Sequence, residues 1–134
     1  MNKIDIEHLV LKSGAHEKDS EDFCLIEACS VLDGSSKNDR TPLVYAPLAA
    51  AGRFVNDGPW ESDEARTAAL AKYIIPFAAT GNAGSVELSV RVAKTAARMA
   101  REFADNFDAS LTPGQRIAKN GPALLDALYA EVVK

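Results

Sequence analysis

The stretch from Ser85 to Phe107 restricts the fold most. Leu88, Val92, Met99, Phe103 and Phe107 recur along it at helical spacing, with Ala93, Ala96, Ala97, Ala100 and Ala104 beside that stripe. Ser85 can cap the first turn and Glu87 follows it, where free N–H groups and the helix dipole favour oxygen acceptors and acids. The 22 residues from Val86 to Phe107 predict a rod about 33 Å long at the usual rise. A rod with one apolar stripe must be covered by other elements.

Helical signals supply them. Pro47 opens a helix that Asn56, Asp57, Gly58 and Pro59 stop, because proline suits a first helical position and cannot continue a turn. Gly52 inside it leaves room for another helix to approach. Ser62, Asp63 and Glu64 start a helix running to about Ile75, with Ala69, Leu70, Tyr73 and Ile74 inward, Arg66 and Lys72 outward, and Pro76 ending or kinking it. Thr112 and Pro113 begin a short helix, Gln115 to Lys119, which Asn120 and Gly121 terminate, and Pro122 opens the last one. Residues 4–12 read as a short helix, since Asp5, Glu7 and Lys12 recur at helical spacing and no partner strand is evident. A further helix begins near Glu21 and ends at Gly34, and the polar run Ser35–Thr41 reads as a surface loop. The expected fold is all-α: a compact single-domain bundle of five to seven helices over 1–134, the long helix packing on the Pro47 and Asp63 helices.

Length and balance fit that class. The chain has 134 residues, 47% hydrophobic and 25% charged, enough to bury a core without staples. A net charge of −4 argues against a nucleic-acid partner. Met1–Glu7 lacks the basic start and apolar run of a signal peptide, and no apolar run is long enough to span a bilayer. Two cysteines five apart on one helix do not make a disulfide framework. These features place the chain in the cytoplasm, without a membrane partner.

Chemistry-bearing residues gather between Ser13 and Cys29: His16, Glu17, Cys24, Glu27 and Cys29. Cys24 and Glu27 share a helical face, and Gly14 frees the loop that could fold His16 over it. His16, Cys24 and Glu27 could then hold zinc, which accepts imidazole, thiolate and carboxylate. Alternatively His16 could activate Cys24, with Glu27 orienting the imidazole. The structural reading makes both cysteines small buried hydrophobes, Glu27 a solvated or capping side chain, and His16 the closure of a turn. His8 beside the first apolar face reads as structural. Arg91, Lys94, Arg98 and Arg101 form a basic flank that could touch an acidic partner, and Trp60 could sit at an interface or anchor the next helix. Gly81–Gly84 lacks the lysine and spacing of a phosphate loop.

Leu11, Lys12, Ser13, Gly14, Ala15 and His16, then Cys24, Ile26, Glu27 and Ala28, then Ala46, Pro47, Ala50, Ala51, Arg53, Asn56 and Asp57, then Tyr73, Ile75, Pro76 and Thr80 together resemble an uncharacterised family of phages and their bacterial hosts. The resemblance covers about residues 9–81 and implies an origin and a helical fold, with no established activity or cofactor. Where members carry a second histidine and cysteine, this chain has Arg40 and Leu43, which argues against zinc. The expected function is that of a non-enzymatic, homo-oligomeric phage-type accessory factor that binds a host protein or small ligand, counter-defence included. It would bind through Arg91, Lys94, Arg98 and Trp60 and need no cofactor. The alternative is a small metal- or cysteine-dependent hydrolase built on His16, Cys24 and Glu27, with zinc as its metal.

Overall fold

The computed structural model describes residues 5–134. It is all-α, with six α-helices, one 3-10 turn and no strand among the described residues. The helices are α1 (Leu25–Ser30), α2 (Ala46–Asn56), α3 (Asp63–Leu70), α4 (Ile74–Ala78), α5 (Val86–Asp105) and α6 (Pro113–Val132). α5 packs chiefly on α6, and α6 also lies on α2 and α3, while α1 is wedged against α2 and α4. The long helix therefore does not rest on the Pro47 and Asp63 helices as expected; α6 takes that place.

α6 does so because it is one helix rather than two. Asn120 and Gly121 do not stop it, and Pro122 lies inside it. A proline there loses one backbone bond, but packing outweighs that loss. Tyr73 Oη donates to Asp126 at 2.7 Å and to the Pro122 carbonyl at 3.2 Å, and Leu125 and Leu128 are buried in the core. Gly121 permits the approach of α2, since a Cβ there would sit 2.7 Å from Val55 Cγ1. Thr112 caps the start, its side chain and that of Gln115 each accepting the other's backbone N–H.

The expected helix over 4–12 is absent among the described residues; Ile4 lies outside them. Residues 6–8 form a turn. Beyond it the backbone donors are drawn to distant partners: Leu11 N–H to Thr67 Oγ1 at 2.7 Å and Lys12 N–H to the Phe23 carbonyl at 2.9 Å. Leu11 and Phe23 thus form an isolated parallel bridge, and the segment is a strap over α1 and α3.

α1 starts at Leu25, later than the Glu21 expected. The carbonyls of Glu17, Ser20 and Asp22 turn outward to the Lys37 ammonium at 2.8, 2.7 and 2.6 Å, so they cannot accept the i+4 bonds a helix needs. The helix also ends earlier than the Gly34 expected, at Ser30 with Val31 as its C-cap; Gly34 does adopt the left-handed φ of +88°, but in the turn closed by its N–H on the Val31 carbonyl at 3.1 Å.

α3 and α4 share one course, but the chain tightens into a 3-10 turn over Ala71–Tyr73. Pro76 cannot donate to the carbonyl four residues back and its ring crowds that carbonyl, which accounts for the break. Leu70, Tyr73 and Ile74 are buried as expected. Arg66 is not outward: it is 6% exposed, with Nε donating to the Asn56 carbonyl at 2.7 Å and a guanidinium nitrogen to Asp63. A buried arginine is stable only when its donors are matched, and the end of α2 supplies that acceptor. Gly52 faces Ile26, whose Cδ1 would lie 2.8 Å from an added Cβ, so α1 and α2 meet there.

Candidate functional site

Cys24 is the N-cap of α1. Its Sγ accepts the Glu27 N–H at 3.4 Å, and Glu27 Oε1 accepts the Cys24 N–H at 2.9 Å, the reciprocal pairing of a capping box. His16 folds back onto the same carboxylate. Its backbone N–H donates to Glu27 Oε2 at 2.8 Å and its ring Nδ1 lies 2.7 Å from Oε1. His16, Cys24 and Glu27 therefore do converge, and they do so around a carboxylate that is 2% exposed.

The electrostatics follow from that geometry. Burial pushes the Glu27 carboxyl up, but the His16 ring and the N–H groups of Cys24 and His16 outweigh it and hold the group below its ordinary value. Glu27 is thus an anion that accepts, so His16 Nδ1 carries the proton between them. Burial, aided by the Glu27 charge, raises the Cys24 thiol to about 12. Burial likewise raises Cys29, whose Sγ donates to the Ile74 carbonyl at 3.4 Å, to about 12. Nucleophilic cysteines need a depressed value, and neither thiol has one. Among the described residues no three His, Cys, Asp or Glu side chains are placed to hold a metal ion.

A polar cleft of about 520 Å³ opens beside this cluster, lined by His16, Glu17, Lys18, Ser20, Asp22, Glu27, Lys37, Asn38 and Asp39. Lys37 was placed by the sequence in a surface loop, yet it is 7% exposed. Its ammonium closes the loop 17–22 and rests 4.4 Å from the Phe23 ring centroid, a cation over an aromatic face. Nothing in the polar run around Lys37 announces this, because the acceptors are backbone carbonyls.

A second concavity lies on the opposite chemistry. Between α2, α5 and α6 runs an apolar groove of about 630 Å³, walled by Phe54, Val55, Ala96, Ala100, Phe103, Phe107, Ile117 and Leu124, with Arg116 and Asn120 among its few polar residues. It continues through Phe54, Ala96 and Leu124 into a smaller apolar depression of about 460 Å³ towards Pro47 and Val92. Phe54 is 73% exposed and Phe107 62%, so the groove is floored by packed residues and rimmed by two largely exposed aromatic rings, that of Phe107 lying against the Arg116 guanidinium, 4.9 Å from its centroid. Phe107 was expected in the core stripe of α5; only Leu88, Val92 and Met99 of that stripe are buried.

The residues expected to bind a partner are spread apart. Trp60 is buried, and its indole N–H donates to the Val55 carbonyl at 2.8 Å, which makes it the anchor of the turn before α3. Arg91 docks α5 on the end of α6 through Glu131, 3.4 Å from Nε. Arg98 pairs with Glu102 one turn away at 3.1 Å. Lys94 is exposed. His8 pairs with Asp5 in the first turn at the surface.

No family model, no curated protein and no solved structure matches the chain. No helix among the described residues is long and apolar enough to cross a membrane.

Proposed function

We propose that the chain is a helical binding protein and that the groove between α2, α5 and α6 is its docking face, occupied by an amphipathic helix of another protein. The observation that carries this reading is the exposure of Phe54 and Phe107 at the rim of an apolar concavity. Large apolar side chains left in water beside a groove mark interaction sites more often than isolated ones do. The core does not need them: it is closed by Leu25, Ile26, Leu48, Leu70, Ile74, Phe77 and Leu125, all fully buried.

The groove also has the proportions of a helix-in-groove site. From Val92 to Ala104 it follows α5 over about 18 Å at the helical rise. The small side chains of Ala93, Ala96 and Ala100 let a partner backbone approach. The resemblance of residues 9–81 to a phage and bacterial-host family favours a host protein as that partner, and a phage-type accessory role for this chain.

The test is a pair of substitutions, Phe54→Glu and Phe107→Glu, in the full chain. Both side chains are mostly solvent-exposed, so circular dichroism and thermal unfolding stay close to wild type. A partner recovered with wild type is lost with either variant and retained with Lys94→Glu. Retention of the partner by both phenylalanine variants contradicts the reading.

A further inference from the structure

The cleft beside α1 carries a chemistry the groove lacks. We propose that His16 is a general base there, with Glu27 as its positioning residue, and that the substrates are small neutral esters attacked by water. This site is independent of the docking groove, and its failure would leave that reading untouched.

Three observations lead to it. His16 Nδ1 lies 2.7 Å from the Glu27 carboxylate, so in the tautomer with the proton on Nδ1 the lone pair lies on Nε2. Among the described residues Nε2 makes no hydrogen bond, and Arg91 Nε is the one side-chain nitrogen or oxygen that is both buried and without a hydrogen bond. Nε2 is therefore reachable, and His16 lines the cleft of about 520 Å³. Finally, the ring is fixed from behind: Glu27 is itself held by the N–H groups of Cys24 and His16. A carboxylate that orients an imidazole and stabilises the imidazolium formed on proton uptake is the arrangement of hydrolytic acid–base pairs.

A purely structural latch would not require the ring. The His16 backbone N–H already ties the loop to Glu27 Oε2 at 2.8 Å. His8 offers an internal comparison, since it too pairs with a carboxylate, Asp5, but its side chain is 78% exposed. The substrate class follows from the walls. The walls carry both signs, Glu17 and Asp39 against Lys18 and Lys37, with Asp22 paired to Lys12 at 3.0 Å, while Lys18 and Asn38 can donate to a carbonyl oxygen, so a compact uncharged acyl compound fits.

In the reaction, Nε2 accepts a proton from water as the water oxygen bonds to the ester carbonyl carbon and the C=O electron pair moves to oxygen. The tetrahedral species then re-forms C=O and breaks the bond to the leaving oxygen. The imidazolium proton passes to that oxygen or, for a stable phenolate, to solvent. Water and ester give acid and alcohol, with no thiol and no metal.

The experiment uses the full chain and p-nitrophenyl acetate. His16→Asn keeps an N–H where Nδ1 was and removes Nε2, so folding is preserved while the base is lost. The hydrolysis rate is expected to fall about 100-fold, the usual size of such a contribution, with His8→Asn unchanged and the wild-type rate slower in D2O. If His16→Asn keeps the wild-type rate, or wild type is no faster than free imidazole at equal concentration, the proposal is overturned. Nitrogen NMR of the wild-type imidazoles reads the same geometry without any variant. A proton on His16 Nδ1 supports it, and its migration to Nε2 in Glu27→Gln identifies Glu27 as the positioning group. A proton resident on Nε2 in wild type overturns it.

Discussion

The side-chain oxygen of Asn56 accepts the backbone N–H of Leu25 at 3.0 Å, inside the core at the first residue of α1. The same amide donates through Nδ2 to the Lys12 carbonyl at 2.9 Å and to Asp57 Oδ1 at 3.0 Å. Asp57 in turn accepts the Gly14 N–H at 2.7 Å. The last turn of α2 thus fixes both the start of α1 and the loop that carries His16. The site loop is positioned in part by side chains 43 and 44 residues away in sequence, and not by its own secondary structure.

Asn56→Ala removes an acceptor from Leu25 and a donor from Lys12, leaving buried backbone groups unpaired. Each such group costs about 1–3 kcal/mol, so a total loss of about 3 kcal/mol is expected. Urea unfolding with an unchanged slope measures it. Asn56→Asp keeps the acceptor for Leu25 but faces Lys12 with a second oxygen, and should be no more stable than the alanine variant.

Lys37 predicts a difference between two substitutions usually regarded as similar. Its compact ammonium donates to three carbonyls, those of Glu17, Ser20 and Asp22, from one point. A planar guanidinium spreads its donors in a fork and cannot converge on them. Lys37→Arg is therefore expected to destabilise about as much as Lys37→Met, by about 2 kcal/mol for a buried charge-assisted set. Amide exchange across 17–23 should rise in both. Wild-type protection in the arginine variant would refute the chelate.

The thiols, together with the Tyr73 hydroxyl that burial and Asp126 also raise, set the alkaline limit of stability. Cys24 and Cys29 are raised by burial from an ordinary value of 9.0 to about 12. Between those values the unfolded chain has lost protons that the folded chain retains, so stability declines as pH rises from about 9 towards 12. Glu27 acts at the other end. Its folded value is depressed, so its contribution is present above the unfolded value of 4.5 and is lost as pH falls through the folded one. Denaturation midpoints across pH, for wild type and Cys24→Ser with Cys29→Ala, check both limbs. Slow reaction of the native thiols with a disulfide reagent at pH 8 checks the first directly.

The legible part of this fold is the part written in local terms. Ser62, Ser85 and Thr112 cap their helices as the sequence indicates, and the period of α5 selects its buried Leu88, Val92 and Met99. What was not legible depends on distant partners. The strap at Leu11 is extended because Thr67 and Phe23 claim its backbone. Pro122 is tolerated because Tyr73 and the core hold α6 together across it. At the site, the convergence of His16, Cys24 and Glu27 stood only as one alternative in the sequence, because the loop that carries His16 is held in place by Asn56 and Asp57, which no local signal announces. The roles of those three side chains were not readable, since whether Cys24 Sγ is a nucleophile or an N-cap depends on where α1 begins, and Lys37 decides that. Phe54 and Phe107 carry no sequence mark that separates a rim from a core.

The most direct test of the docking face is photo-cross-linking from position 54, with a benzophenone amino acid replacing Phe54 in the full chain inside a bacterial host. The expected result is a discrete adduct with one host protein, mapped to a peptide of amphipathic helical spacing, and lost when Phe107→Glu is added. An adduct only between copies of this chain, or none at all, would contradict a heterologous helix in the groove.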